Sequence, residues 1–339
     1  GVMSRETAGA LIEAAFAAAD EHGTVSFAFQ GGEPTVAGLD FFRDFVAMVS
    51  AFRPLDRQVS YALQTNGMAL NEEWTHFLKE NQFLVGLSVD GYRELHDHYR
   101  VDTKGEGTYG RVAKALALLQ KFEVETNLLC VVTGQCAKHP QKTYASMKKL
   151  GVRYLQFIPC LDPLEEQRGR AVYSLTPKLY GDFLCGLFDQ WYRDWAEGHY
   201  TSVRLFDDYV HLAMGEPAST CAASGGCGSY FVVEADGGVY PCDFYVLDRW
   251  RMGDVHTDSL KQLANDETAS EFLRQGRLRP SRCASCRWVP LCNGGCRRDW
   301  TGGADDTENY YCESFRRFFE YAADRIGEIA WQERRSRMR

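Results

Sequence analysis

From residue 24 to about residue 162, compact runs of apolar and β-branched residues alternate with longer stretches whose apolar positions recur at helical spacing. The strand candidates are 25–30, 59–64, 84–90, 126–132 and 154–159, each ended by turn residues. Between them, Phe42, Phe45, Val46 and Val49 fall at i, i+3, i+4 and i+7. Trp74, Phe77 and Leu78 form a second stripe, and Val112, Ala115, Leu116 and Leu119 a third. Pro140 and Gly151 bracket a fourth helix, proline at its start and glycine past its end. Ahead of the first strand, Ser4 is placed to cap a helix carrying Leu11, Ile12, Ala15, Phe16 and Ala19. Strand, helix, strand at this spacing predicts a parallel sheet covered by helices, either an α/β barrel or a doubly wound sheet.

Residues 177–197 read as the longest periodic helix, with Phe183, Leu184, Leu187, Phe188 and Trp191 on one face. Beyond Cys221 the pattern changes to glycine, cysteine and short turns, which indicates a second domain. A last helix over about 312–332 carries Phe315, Phe318, Phe319, Ala322 and Ile326. The division expected is 1–205 for the α/β domain and 206–339 for the cysteine-rich domain with its final helix.

Composition narrows the function. With 45% hydrophobic and 13% aromatic residues, 339 residues can bury a large core, which excludes a disordered chain. Lys plus Arg number 38 against 46 Asp plus Glu, a formal charge of -8, which argues against nucleic acid or an anionic membrane as partner. No run approaches the roughly 18 consecutive apolar residues of a membrane span, and no signal peptide is visible, so the expected location is the cytoplasm. In a reducing compartment, twelve cysteines in an enzyme-sized chain point to metal rather than disulfides.

Eight of the twelve lie between 221 and 312. Cys221, Cys227 and Cys242 are spaced C-x5-C-x14-C; Cys283, Cys286, Cys292 and Cys296 are spaced C-x2-C-x5-C-x3-C; Cys312 follows. Thiolates from one tight turn can reach the same metal, and eight divide into two sets of four. Zinc and iron-sulfur clusters both suit such sites. Cys130, Cys136, Cys160 and Cys185 read as packing residues, with Cys160 also placed at a strand's C-terminal end, where α/β barrels hold their chemistry.

The strand ends carry Gln30-Gly31-Gly32-Glu33-Pro34, Gln64-Thr65-Asn66-Gly67, Ser88-Val89-Asp90-Gly91 and Ile158-Pro159-Cys160. Together with the cysteine spacing, with Gly237 between Cys227 and Cys242, these segments resemble the radical S-adenosylmethionine enzymes that carry a SPASM auxiliary-cluster domain. FIPCLDPL from Phe157, CAASGGCG from Cys221 and VYPCDFY from Val239 are similar to the anaerobic sulfatase-maturating branch.

The resemblance implies a partial (β/α)6 TIM-type barrel followed by a SPASM domain with two auxiliary 4Fe-4S clusters. One cluster would be held by Cys221, Cys227, Cys242 and Cys296, the other by Cys283, Cys286, Cys292 and Cys312. Gln30, Gly31, Gly32, Glu33, Ser88, Arg111 and Leu161 would contact S-adenosylmethionine, Gln64 and Asn66 would lie near the peptide, and Asp243 would be the base. The implied reaction oxidises a Cys or Ser of an unfolded sulfatase to Cα-formylglycine, with a reductant such as flavodoxin or ferredoxin. The family's C-x3-C-x2-C motif for a third, radical-generating 4Fe-4S cluster is absent from these residues. Counting five strands against the family's six, a segment bearing the first strand and that motif is expected to precede Gly1. Two other readings compete: a SPASM enzyme forming thioether or carbon-carbon crosslinks, and a zinc-stabilised peptide-binding protein without catalysis.

Overall fold

Ser4 opens the first helix, its hydroxyl accepting the Thr7 N–H at 3.0 Å, and α1 (Arg5–Ala18) begins where the residue type places a cap. In this computed structural model, which describes residues 1–164, 166–228, 230–302 and 307–338, the chain forms a six-stranded sheet whose strand order follows the sequence. The strands are β1 (Thr24–Phe29), β2 (Gln58–Thr65), β3 (Phe83–Ser88), β4 (Thr126–Val132), β5 (Tyr154–Pro159) and β6 (Ser202–Val203). β1 with β2, β2 with β3, β4 with β5 and β5 with β6 pair in parallel. The five strands expected from the sequence are present within a residue or two. The sixth is β6, whose two residues are too few to produce an apolar run. Among the described residues this sheet therefore has six strands.

The chain divides into two compact units built from interleaved segments: Gly1–Leu87, Lys114–Thr126 and Gly228–Gln275 in the first, Ser88–Ala113, Asn127–Cys227 and Gly276–Arg339 in the second. In the first unit, parallel register sets Phe27 opposite Tyr61 and Tyr61 opposite Phe83. The Tyr61 and Phe83 rings stack with centroids 4.9 Å apart. The stripe on α2 (Leu39–Phe52) buries Phe42, Phe45 and Val49, and the Phe45 ring meets Phe27 and Phe29 edge-on at 5.1 and 5.0 Å. Ala8, Ile12 and Phe16 of α1 join that cluster. The neighbouring face of α1 covers a small antiparallel sheet of β7 (Val232–Val233), β8 (Gly238–Tyr240) and β9 (Gly253–Asp254) through Ala10, Leu11 and Ala14. Gly237, in the β7–β8 turn, has φ +94°, and a Cβ there would lie 2.8 Å from Asp254 Oδ1 and from the His256 ring, so only glycine fits.

The second unit is centred on three helices, α3 (Pro177–Ala196), α4 (Arg204–Ala213) and α5 (Cys312–Arg337). Thr176 caps α3 and Pro177 stands at its first position. Phe188, Phe206 and Phe318, one from each helix, are fully buried and in mutual ring contact at 5.2 to 5.6 Å. Burial of each such ring contributes about 2 kcal/mol. Among the described residues no helix is long and apolar enough to cross a membrane.

Candidate functional site

In the first unit the ends of β1 and β2 are tied together by one side chain. Glu33 Oε1 accepts from the Thr35 N–H at 3.1 Å, the Thr35 hydroxyl at 2.6 Å and the Thr65 hydroxyl at 2.7 Å, while Oε2 accepts from the Asn66 N–H at 2.7 Å. Both carboxylate oxygens are therefore engaged by the protein itself, and Glu33 acts as a brace. Gly31 and Gly32 are exposed with φ of +87° and +51°. A Cβ at either would meet nothing within 4 Å, so the requirement for glycine is conformational and leaves open space beside the backbone. Gln30 and Gln64 are exposed, and Asn66 closes its own turn by accepting the Met68 N–H at 2.8 Å.

In the second unit Ser88 is buried at the end of β3. Two residues on, the buried Asp90 carboxylate accepts Arg100 Nε at 2.6 Å and the Val131 N–H at 2.9 Å. His96, also buried, accepts the Asp90 N–H on Nδ1 and meets the Thr108 hydroxyl with Nε2, and its burial lowers its pKa. Arg111 pairs with Asp102 at 2.6 Å, so in this structure its carboxylate partner comes from the chain itself. Leu161 is half-buried after β5, in a loop that Arg298 holds by donating to the Asp162 carbonyl at 2.6 Å. Next to it, Arg168 and Asp299 form an ion pair at 3.0 Å with each side chain only 10% exposed. These contacts fasten the segment that follows Cys296 to the loop that carries Leu161.

Four of the cysteines come together in the second unit. Cys283, Cys286, Cys292 and Cys312 all line one cavity of about 340 Å³, with Trp288, Phe315 and Phe319 among its apolar walls. The four thiols thus share one cavity with apolar side chains. Burial pushes the Cys292 thiol up to about 12 and raises Cys283 and Cys312 as well, so the free thiols are protonated and binding a metal group must release protons. The Gly294 N–H donates to the Cys292 sulfur and the Arg298 N–H to that of Cys296 at 3.4 Å. Backbone donors to cysteine sulfur are the polar surroundings an iron-sulfur cluster uses. Donor set, cavity and N–H groups together fit a cluster.

The other set is distributed, with Cys221, Cys227 and Cys296 in the second unit and Cys242 in the first. Cys221 starts a one-turn helix capped by Thr220. The buried Asp208 carboxylate fixes that approach by accepting the Ser219 N–H and the Thr220 hydroxyl, each at 2.6 Å. Gly225 has φ +74°, and a Cβ there would lie 2.4 Å from the Asn293 Cβ, so the loop between Cys221 and Cys227 rests on the residue after Cys292. Asn293 adds a hydrogen bond to the Ala223 carbonyl at 2.9 Å.

Asp243 follows Cys242 at the start of a short 3-10 helix and is exposed. Its Oδ1 accepts the Tyr230 hydroxyl at 2.8 Å and lies 3.4 Å from the Cys242 sulfur. Burial, then Cys242 and Asp243, raise the Tyr230 pKa and keep that hydroxyl a donor. Burial pushes the Cys242 thiol up to about 11. Tyr230, Asp208 and the Arg168–Asp299 pair were not legible in the sequence, because each acts through a partner supplied by the fold. Of the remaining cysteines, Cys130 and Cys136 are fully buried, and Cys160 and Cys185 half-buried.

Known proteins agree with this arrangement over nearly the whole chain. The family model of the radical SAM superfamily matches residues 4–147, and that of the SPASM iron-sulfur cluster-binding domain matches residues 225–287. The cysteine-type anaerobic sulfatase-maturating enzyme of Clostridium perfringens (strain 13 / Type A) is 43% identical over 97% of this chain and 89% of its own length. That of Clostridium novyi (strain NT) is 40% identical over 97% and 88%. The serine-type enzyme of Bacteroides thetaiotaomicron is 30% identical over 88% and 76%. The solved structure of native anSMEcpe with bound AdoMet and Kp18Cys peptide superposes with a TM-score of 0.95 at 43% identity, covering 98% of this chain and 92% of that one. With the brace at the strand ends, the four-thiol cavity and relatives of this extent, the chain belongs to the anaerobic sulfatase-maturating enzymes, radical S-adenosylmethionine enzymes with a SPASM domain.

Proposed function

We propose that this chain oxidises a cysteine in a sulfatase-derived peptide to Cα-formylglycine, the cysteine-type form of the family reaction. The observation that carries the reading is the exposed Asp243 carboxylate directly beside Cys242. Oxidising a thiol carbon to the aldehyde level removes two electrons and two hydrogens, after which water replaces sulfide. A proton acceptor and an electron acceptor must therefore stand side by side. Identity of 40–43% to cysteine-type enzymes against 30% to a serine-type one supports cysteine as the substrate residue.

Asp243 takes the substrate thiol proton, which makes the carbon easier to oxidise. Glu33 holds the ends of β1 and β2 in place, and the open backbone at Gly31 and Gly32 is the surface offered to S-adenosylmethionine, with Gln30, Ser88, Leu161 and Arg111 as further contacts. Gln64 and Asn66 meet the peptide. Cys221, Cys227, Cys242 and Cys296 hold one auxiliary 4Fe-4S cluster, and Cys283, Cys286, Cys292 and Cys312 the other. When bound, S-adenosylmethionine with its reduced cluster supplies the hydrogen-abstracting radical, and the auxiliary clusters supply a sink for the second electron. No residue here is assigned to the radical-generating cluster, because C-x3-C-x2-C is not in these 339 residues. Residues 1–205 form the catalytic domain and 206–339 the auxiliary-cluster domain of a cytoplasmic enzyme reduced by a flavodoxin- or ferredoxin-like donor.

The test is Asp243→Asn in the reconstituted gene product. A lost general base lowers turnover by about a hundredfold or more, with iron and sulfide content unchanged. Turnover equal to the parent removes Asp243 as base. Peptides differing only in Cys or Ser decide the substrate residue, and faster conversion of the Ser peptide overturns the cysteine-type reading.

A further inference from the structure

Tyr230 stands where a single hydroxyl can reach both the proposed base and a cluster ligand. Its O–H lies 2.8 Å from Asp243 Oδ1 and 3.5 Å from the Cys242 sulfur. All three residues belong to the first unit, and Tyr230 enters on the chain just before β7. The second contact of Oδ1, with the Cys242 thiol at 3.4 Å, requires a thiol proton. Once Cys242 is a cluster ligand it is a thiolate and has no proton to give. The tyrosine O–H then remains as the donor that holds Oδ1, beside the ligand sulfur 3.5 Å away.

A carboxylate on an exposed one-turn helix has free rotation about its side-chain torsions. A donor on one oxygen fixes that rotation and leaves Oδ2 to face a thiol. We infer that Tyr230 is a positioning residue, its hydroxyl orienting the Asp243 carboxylate for proton abstraction while hydrogen-bonding the ligand sulfur of Cys242. The inference rests on Asp243 being the base and extends that reading to a residue which touches neither the substrate nor the reacting atoms.

Tyr230→Phe tests it, because the ring is 43% exposed and removing one oxygen leaves packing intact. The parent and variant are reconstituted alike, and iron, sulfide and Tm are measured first, so that loss of cluster or fold is seen separately. A charge-assisted hydrogen bond that orients the base predicts a kcat lowered about tenfold, with the peptide KM within twofold of the parent. Loss of a donor to a ligand sulfur also predicts an altered EPR signal and a more negative midpoint potential for an auxiliary cluster. Unchanged kcat, an unperturbed cluster signal, or a loss that merely tracks missing iron overturns the inference. The two readings fail differently: Asp243→Asn at full turnover removes the base, whereas an inactive Asp243→Asn beside a fully active Tyr230→Phe removes only the tyrosine.

Discussion

Gly276, in the last turn of the helix Glu267–Arg277, gives the sharpest steric test of the cluster assignment. A Cβ at this position would lie 2.4 Å from the Cys227 sulfur and 2.8 Å from the Cys227 Cβ. Starting from 2.4 Å, an unstrained separation of about 3.8 Å requires Cys227 to retreat by about 1.4 Å. Metal-ligand distances hold within about 0.2 Å, so a shift of this size takes the sulfur out of bonding range. Stability changes much less. Overpacking costs about 1–3 kcal/mol, and alanine regains about 0.8–1 kcal/mol of helix propensity, so the fold survives while the ligand is displaced. Iron and acid-labile sulfide in Gly276→Ala are expected to fall by about four atoms each, from about eight for two auxiliary 4Fe-4S clusters. The Tm should stay near the parent's apart from the cluster's own contribution. Full iron and sulfide in the variant, with an unaltered absorption spectrum, would refute the placement of Cys227 as a ligand.

Other perturbations probe the supports around the site. Glu33→Gln replaces one accepting oxygen by an NH₂ and leaves a donor at Asn66 or at Thr35 and Thr65 unpaired, which costs about 1–3 kcal/mol. Weaker S-adenosylmethionine binding by calorimetry checks it. Arg168→Ala leaves the buried Asp299 without its cation, a loss of about 3 kcal/mol in denaturant unfolding; a change under a tenth of that contradicts a structural role for the pair. His96, whose pKa burial lowers from 6.5, takes up its proton at a lower pH in the folded state than in the unfolded chain. Stability therefore falls as the pH drops below 6.5, and melting curves of His96→Gln should show a shallower decline than the parent's over the same range.

The cysteine-rich stretch and the glycine-glutamate segment were legible because each shows its pattern within a short run of sequence. Four thiols of one set do surround a cavity, and α1, α2 and α3 stand where caps and apolar stripes put them. What was hidden depends on long separations. Arg168 and Asp299 are 131 residues apart and meet in a buried pair, and Asp208 reaches 12 residues forward to Thr220. Neither pairing leaves a periodic or spacing signal. β6 was too short to be recognised, and the bonds of Glu33 to Thr65 and Asn66 join residues 32 and 33 positions apart, which no local pattern announces.

The central claim is the conversion of a peptide cysteine to an aldehyde. The reconstituted gene product, incubated anaerobically with reductant, S-adenosylmethionine and a cysteine-containing sulfatase peptide, is read out by mass spectrometry and by hydrazine capture of the product. The account predicts a peptide in which the cysteine has exchanged sulfur for oxygen, lost two hydrogens and become reactive to hydrazine. A product that keeps its sulfur and has lost only two hydrogens, as a crosslink would, or a peptide returned unchanged by the fully clustered enzyme, would contradict it.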